Sequence, residues 1–188
     1  MDYNIKAIET EYKGYKFRSR LEARWAVFFD LLGWQWEYEP VDFNGWIPDF
    51  VIYGKDKIYV EVKPVVEFPE DVAEKIFKSG CDKEVLIVGE TFPLSADHFC
   101  GDNTAFGWLA HSSDEPCGGM TNWWAPAALG RWMDGKGQIG FCHSEGGFND
   151  RISGGYDGGC FGELKGASSI ARKAWAEACN TVRWEANR

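Results

Sequence analysis

The sequence lacks the features of a membrane or secreted protein. Its 188 residues include no apolar run of the roughly 18 residues that a membrane-spanning helix needs. The first ten residues, MDYNIKAIET, are charged and contain no apolar segment of the kind found in signal peptides. No internal repeat is visible. We therefore expect a soluble, cytoplasmic protein whose hydrophobic content of 45% suits one globular domain or a compact domain with an elaborated second half.

Cysteine pairs at metal-ligand spacing are also missing. The six cysteines are scattered and form no CxxC motif. Without a secretion signal, reduced and packed thiols are expected rather than a disulfide framework. A zinc-stapled interaction module is the alternative, although the spacings match no familiar ligand pattern. Its candidate ligands are His98, Cys100, His111, Cys117, Cys142 and His143.

Positive charge is scarce, with 20 Lys and Arg against 29 Asp and Glu, a net charge of −9. This balance counts against a protein that coats nucleic acid. It allows local binding of nucleic acid, because a metal site itself requires clustered carboxylates. Cations outnumber carboxylates in residues 13–24 and 165–188. On its own, each cluster is best explained as a solvated helix face.

The segment SRLEARWAVFFDLLGW predicts a helix. Its apolar residues recur at helical spacing: Leu21, Trp25, Phe28 and Leu32. Ser19 is a favourable N-cap, and Glu22 three residues later completes a capping box. Gly33 is a suitable C-terminal stop.

Three strands, a helix and a buried strand are predicted to follow. The strands are WQWEYEPVDF, IPDFVIY and KIYVEVK, the last two joined through GKDK. PEDVAEKIFKSG predicts a helix with an apolar face of Val72, Ala73, Ile76 and Phe77. KEVLIVGE is typical of a strand buried on both faces. The order helix, three strands, helix, strand predicts the α/β class, with a mixed sheet flanked by helices.

The second half has weaker patterns. Residues 91–122 are rich in Gly, Ser, Asp and Pro and predict a long loop or peripheral excursion. NWWAPAALGRWM predicts a short helix interrupted near Pro126, whereas GQIGFCHSE and DRISGGYDGGCFGEL predict strands. SSIARKAWAEACNTVRWEA predicts a final helix capped by Ser168 or Ser169. Its expected apolar face is Ile170, Ala174, Ala178 and Val182.

The stretch WIPDFVIYGKDKIYVEVKP carries polar residues where apolar ones would pack better. Side chains alternate along a strand, so Glu61 and Lys63 project to the same face. If the hairpin loop has an odd number of residues, such as 54–56, Asp49 lies opposite Glu61. A loop of even length turns Asp49 to the other face, and the sequence leaves this register open.

Two carboxylates about 5 Å apart on neighbouring strands repel each other unless a cation or a proton intervenes. A hard divalent ion with oxygen ligands, Mg²⁺ or Mn²⁺, meets this need. Lys63 could then orient or deprotonate a water, or offset charge on a phosphate. The alternative is that Lys63 forms an ordinary salt bridge on a solvated sheet face.

These residues resemble the signature of the PD-(D/E)XK nuclease superfamily, namely PDF at 48–50 and EVK at 61–63 after a short hairpin. Its restriction-endonuclease-like core has the element order given above. FRSRLEARWAVFFDLLG also resembles the first core helix of phage- and transposon-associated members. The resemblance covers residues 12–90. It divides the chain into a nuclease-like core, 1–92, and a Trp- and Gly-rich α+β elaboration, 93–188, packed on that core.

The resemblance implies a metal-dependent endonuclease that hydrolyses DNA phosphodiester bonds with Mg²⁺ or Mn²⁺. Asp49 and Glu61 would bind the metal together with the backbone carbonyl of Val62, and Lys63 would be the catalytic lysine. Glu22 would be an additional ligand, acting directly or through water. The capping box also explains Glu22, and one carboxylate cannot fully serve both sites.

Nucleic acid, expected to be DNA, is the partner that the resemblance implies. The residues expected to contact it are Lys16, Arg18, Arg20, Arg172 and Lys173. Glu39, just before the meander, has no clear match in the family. The alternative is a catalytically silent nuclease-fold protein that binds DNA or a host protein, as a phage effector or inhibitor in the host cytoplasm, or that forms a homodimer. The intact Asp49, Glu61 and Lys63 set favours the enzyme; the acidic surface and the unassigned second half favour the binder.

Overall fold

The computed structural model describes residues 7–90, 104–110, 124–131, 138–143, 149–155 and 167–183. The strands are β1 Thr10–Tyr12, β2 Tyr15–Phe17, β3 Gln35–Tyr38, β4 Phe50–Tyr53, β5 Lys57–Val62, β6 Val85–Val88, β7 Thr104–Ala110, β8 Trp124–Arg131 and β9 Ile139–His143. The helices are α1 Arg20–Leu31, α2 Glu70–Lys78 and α3 Ala167–Thr181. Within the described residues, no helix has the length and apolar character that crossing a membrane requires.

Seven strands form one mixed sheet in the order β3-β4-β5-β6-β7-β8-β9. β5 and β6 are parallel, and the other neighbours are antiparallel. α2 provides the crossover that the parallel pair requires. The fold is therefore mixed α/β, and the predicted order helix, three strands, helix, strand is confirmed for α1 to β6. The predicted domain boundary near residue 92 falls within a continuous sheet, because β7 pairs with β6.

α1 begins and ends as its sequence predicts. The Ser19 side chain accepts the N–H of Glu22 at 3.1 Å, which satisfies one of the free amides at the helix start. At the other end the N–H of Trp34 donates to the carbonyl of Phe29. This bond needs a left-handed residue between them, and Gly33 supplies it with φ 74°.

Both faces of the sheet are covered. The first apolar cluster lies between the sheet, α1 and α3, where the ring centroids of Trp25 and Trp175 are 4.5 Å apart. The second lies under α2, where Ile76 and Trp46 are buried. Apolar side chains on both sides of the sheet explain why β6 is an uninterrupted apolar strand, as predicted.

The two clusters also show on which face the polar groups of β5 lie. Val60 and Val62 belong to the cluster under α1 and α3. Since successive side chains alternate, Glu61 and Lys63 project to the face covered by α2. The expected alternation in β5 is thus confirmed.

Two predictions for the second half are wrong. Residues 124–131 form strand β8 rather than a helix, with Pro126 opposite Trp108 of β7. Ala127 and Ala128 are buried, and β8 contacts α3, so packing of small side chains outweighs the helix propensity of alanine. Residues 104–110, expected in a loop, form β7. Its alternation is interrupted by a bulge between Ala105 and Gly107.

The remaining predictions of the second half are partly correct. GQIGFCHSE contains β9, as predicted. Residues 150–155 of the next predicted strand contain a turn rather than a strand, whereas 156–164 lie outside the described residues. α3 is confirmed, but it begins at Ala167, so the two predicted capping serines lie inside it. Ile170 is 37% exposed and Phe77 of α2 is 48% exposed, so neither belongs to the buried face expected for it.

Candidate metal centre

The hairpin between β4 and β5 has the odd loop on which the proposed site depends. Tyr53 pairs with Lys57, which leaves the three-residue loop 54–56. Phe50 pairs with Val60, and one further step in this register places Asp49 opposite Glu61. The prediction of an odd loop is confirmed.

Asp49 is buried, with 3% of its surface exposed. Its Oδ2 accepts the backbone N–H of Val62 at 2.7 Å, and its Oδ1 accepts Nη2 of Arg18 at 2.6 Å. Burial, followed by the charge of Glu61, raises the pKa of Asp49 from its ordinary 3.8 to about 7. Lys63 and the Val62 amide oppose this shift. The position therefore favours additional positive charge beside the carboxylate.

Glu61 is held between Lys63 and a tryptophan. Nζ of Lys63 lies 2.5 Å from Oε1, and the indole Nε1 of Trp46 donates to Oε2 at 2.9 Å. Burial alone would lower the pKa of Lys63, but the charges of Glu61 and Asp49 more than offset it and raise this pKa. Glu61 is only 4% exposed, so this ion pair differs from the solvated sheet-face salt bridge considered as the alternative.

Glu22 lies in a network of its own at the start of α1. Its Oε1 accepts the Ser19 hydroxyl at 2.7 Å, and its Oε2 accepts the Tyr38 hydroxyl at 2.6 Å and the Arg18 N–H at 3.1 Å. The carboxylate is buried rather than solvent-facing. The capping role is therefore present, with the amide of Arg18 in place of the Ser19 amide.

The position of Glu22 does not make it a third member of the Asp49 and Glu61 pair. α1 packs on the opposite face of the sheet from Glu61. Its connection to Asp49 passes through Arg18, whose backbone bonds Glu22 and whose side chain bonds Asp49. The charge of Glu22 nevertheless contributes to raising the pKa of Asp49. A role for Glu22 as a metal ligand stays a prediction.

Three carboxylates form one row: Glu39 directly after β3, Asp49 directly before β4, and Glu61 in β5. The N–H of Glu39 donates to the carbonyl of Asp49 at 3.0 Å, so Glu39 lies beside Asp49 as Glu61 does on the other side. Nη2 of Arg18 contacts both Asp49 and Glu39, the latter at 3.0 Å. Arg18 and Lys63 are the two cations paired with these three carboxylates.

The donors in this row are of the kind that Mg²⁺ or Mn²⁺ prefers. Both central carboxylates present oxygen atoms in a buried setting, and the Val62 carbonyl points to the same side as its N–H, toward Asp49. However, no three His, Cys, Asp or Glu side chains converge as a ready metal cluster anywhere in the described residues. A divalent ion therefore fits the chemistry of Asp49 and Glu61, on condition that it displaces or shares the contacts of Arg18 and Lys63.

The basic residues near the N-terminus occupy different positions. Only Arg18 contacts the carboxylate row. Lys16 is exposed in β2 and pairs with Glu9 at 2.9 Å. Arg20 is the first residue of α1 and is partly buried. Contacts of these residues with DNA stay predictions.

The predicted DNA contacts of α3 lie far along that helix. They are Arg172 and Lys173, both exposed. α3 runs antiparallel to α1, because Trp175 contacts Phe28 whereas Cys179 lies near Arg24. At 1.5 Å per helical residue, the two cations are about 10 Å from the level of Cys179, in the direction away from Glu22. This position does not support a contact of Arg172 or Lys173 with the DNA phosphate expected beside Arg18.

An open cleft of about 730 Å³ begins directly after Lys63. It is lined by residues 64–71, Glu74 and Glu90. Five of these lining residues are acidic: Glu67, Glu70, Asp71, Glu74 and Glu90. Five carboxylates repel a phosphate backbone, so this cleft is not a path for DNA.

Sequence reasoning missed two side chains that hold the site, Trp46 and Tyr38. A buried indole or phenol usually needs a hydrogen-bond partner. Trp46 and Tyr38 lie close to Asp49 in the sequence, so they could have been predicted to bond to the carboxylates of the site. The zinc alternative falls largely outside the described residues, since only Cys142 and His143 of its candidates are described. Both are buried. The expected packing of the thiols is confirmed for Cys81 and Cys142, whereas Cys179 is half-buried.

Comparison with known proteins adds no relative: no family model, no curated protein and no solved structure matches this chain. The functional assignment therefore depends on the motif and the geometry of the carboxylate row.

Proposed function

We propose that this protein is a metal-dependent endonuclease of the PD-(D/E)XK type that hydrolyses DNA phosphodiester bonds with Mg²⁺ or Mn²⁺. The observation that carries the proposal is the hairpin register, which sets Asp49 opposite Glu61 with Lys63 on the same face. A hairpin loop one residue shorter or longer would have separated them. The order of α1 to β6 supports a restriction-endonuclease-like core.

Each residue has a distinct task in this proposal. Asp49, Glu61 and the Val62 carbonyl would hold the ion, which would lower the pKa of a water and stabilise charge on the phosphate. Lys63 keeps its proton, because Glu61 and Asp49 raise its pKa. A protonated Lys63 orients the attacking water and offsets negative charge on the phosphate as the bond breaks. Trp46 fixes the orientation of Glu61.

In this proposal, the charges around the site favour one side for the approach of DNA. The acidic cleft beyond Lys63 repels phosphates. On the opposite side, Arg18 is 58% exposed at its side chain and Lys16 is 65% exposed. DNA therefore approaches over the β1–β2 hairpin and the start of α1.

A second candidate is a catalytically silent protein that binds DNA or a host protein on the same scaffold. The observation that favours it is that Asp49 and Glu61 each already have a cationic partner within the chain, Arg18 and Lys63. A protein of this fold that binds no metal would need such ion pairs, because its buried carboxylates would otherwise lack a positive partner.

Cleavage assays distinguish the two candidates. Linear, circular and branched DNAs and a single-stranded RNA are incubated with Mg²⁺, Mn²⁺ or EDTA and either wild-type protein or Asp49→Asn. The nuclease requires the metal and is inactive as Asp49→Asn, whereas a Lys57→Ala control on the same hairpin stays active. Cleavage that persists in EDTA contradicts the proposal. A protein that binds DNA but neither cleaves it nor binds Mn²⁺ is the silent binder.

A further inference from the structure

A single nitrogen atom of Arg18 is shared by two carboxylates, one directly after β3 and one directly before β4. Nη2 lies 2.6 Å from Asp49 Oδ1 and 3.0 Å from Glu39 Oε1. The Arg18 backbone is fixed by its N–H, which lies 3.1 Å from the carboxylate of Glu22 and 3.3 Å from the hydroxyl of Tyr38. The guanidinium can therefore shift between the two carboxylates while its Cα stays in place.

Arg18 lies at the carboxylate oxygen that a metal would use. Oδ2 of Asp49 is engaged by the N–H of Val62, which leaves Oδ1 for a cation. A guanidinium and a divalent ion on one buried oxygen repel each other strongly, because the surroundings screen them poorly. Arg18 and the metal thus compete for Asp49.

Glu39 is placed to receive the guanidinium. Its φ of 46° is unusual for a residue other than glycine, and its N–H is bonded to the Asp49 carbonyl. The Glu39 side chain is 36% exposed, against 4% for that of Asp49. An arginine held by Glu39 therefore remains beside the site but faces solvent.

We propose that Arg18 is a positioning residue that neutralises Asp49 in the metal-free protein and passes to Glu39 when a divalent cation binds. There its exposed guanidinium meets a phosphate of the DNA backbone. The affinity for metal and the affinity for DNA are then coupled, so that binding of either one strengthens binding of the other. This inference rests on the proposed function, because it requires a metal at Asp49.

Calorimetric titration with Mn²⁺ tests the exchange without any cleavage assay. Arg18→Met removes the competitor, so the Mn²⁺ dissociation constant should fall by about tenfold. Lys16→Met removes the same charge two residues earlier in the chain, in β2, where Lys16 pairs with Glu9, and should change the Mn²⁺ dissociation constant by less than about twofold. Circular dichroism checks that each variant is folded, and Arg18→Gln provides a second neutral side chain.

The role of Glu39 is tested by a double-mutant cycle. Glu39→Gln should weaken Mn²⁺ binding by about threefold in the wild-type background, because Arg18 then stays on Asp49. In the Arg18→Met background, Glu39→Gln should have little effect. Equal effects in both backgrounds would show that Glu39 acts on the metal directly and would overturn the exchange.

The results separate this inference from the function on which it rests. Mn²⁺ binding of equal affinity in wild type, Arg18→Met and Arg18→Gln overturns the role of Arg18 and leaves the metal site intact. Absence of Mn²⁺ binding in every variant, including those that lack Arg18, overturns the metal site itself. Tighter binding in both Arg18 variants, with the expected dependence on Glu39, supports the exchange.

Discussion

Replacing Lys63 by alanine should separate catalysis from metal binding. The ammonium of Lys63 carries positive charge and lies 2.5 Å from Glu61, so it cannot itself hold a cation. Its removal leaves Asp49, Glu61 and the Val62 carbonyl in place. We expect cleavage to slow by about 10²–10⁴-fold, the usual effect of losing a group that moves a proton or stabilises charge in the transition state. This loss corresponds to about 3–5 kcal/mol in the activation free energy.

The same substitution should lower the stability of the metal-free protein. Glu61 would keep only the bond from Trp46 among its described contacts. Breaking a fully buried ion pair costs about 3–5 kcal/mol. The Lys63 side chain is 32% exposed, so we expect a smaller decrease of about 1–3 kcal/mol. For a domain of this size, that decrease lowers the melting temperature by about 2–12 °C.

Calorimetry with Mn²⁺, thermal melting and a cleavage assay on the same variants check both effects. Lys63→Ala should bind Mn²⁺ as tightly as wild type or slightly more tightly, because a nearby cation is gone. Asp49→Ala should lose metal affinity as well as turnover. Lys57→Ala, exposed on the same strand, is the matched control. Equal losses of Mn²⁺ binding in Lys63→Ala and Asp49→Ala would show that the lysine only holds the carboxylates together. Cleavage at the wild-type rate in both variants would show that this site takes no part in the reaction.

Three other changes examine the surroundings of the site. Between pH of about 4 and 7 the folded protein binds a proton at Asp49 that the unfolded chain releases, so the free energy of unfolding without metal should fall as the pH rises. The affinity for Mn²⁺ should increase over the same range, because the proton leaves the carboxylate. Melting and calorimetry check both trends, and wild-type profiles identical to those of Asp49→Asn would contradict them. Trp46→Phe frees one oxygen of Glu61 and should weaken Mn²⁺ binding by about 10-fold or more in calorimetry, whereas an unchanged affinity would mean that the indole only packs. Glu22→Gln should reduce the cleavage rate more than Tyr38→Phe, because Tyr38→Phe removes one hydrogen bond to Glu22 and keeps its carboxylate. Equal cleavage rates in the two variants, with both melting temperatures lowered, would assign Glu22 to helix capping alone.

The hairpin of the candidate site was predictable because its information is local. Alternation along β5 and a turn of Gly and Asp place Glu61 and Lys63 on one face. Only the parity of the loop was open, and no local rule selects three residues over two or four. Arg151, which is distant in sequence, contributes to the outcome: its carbonyl accepts the N–H of Lys55 and lies where a side chain at Gly54 would be.

Strands β7 and β8 were not predictable because packing with distant residues forms them. The alanines of β8 favour a helix in isolation, yet Ala127 packs in the same apolar cluster as the alanines of α3. In β7, the backbone approaches β6 so closely that an added Cβ at Gly107 would lie 2.3 Å from the carbonyl oxygen of Ile87. Glycine and a bulge look like loop signals in a sequence window, whereas here they permit two strands to pair.

Arg18 shows why the motif predicted the ligands but not their partners. The motif assumes a metal, so it leaves the carboxylates of Asp49 and Glu61 to be neutralised by an ion. A chain that folds without the ion must supply that charge itself, since a buried pair of like charges is otherwise protonated or unstable. The cation it uses lies 31 residues before Asp49, at the cap of α1, and is the same side chain that sequence reasoning assigned to DNA. Both assignments are compatible if one arginine serves the carboxylate before metal binding and the phosphate afterwards, and this is why the Arg18 and Lys16 variants should differ in their affinity for Mn²⁺.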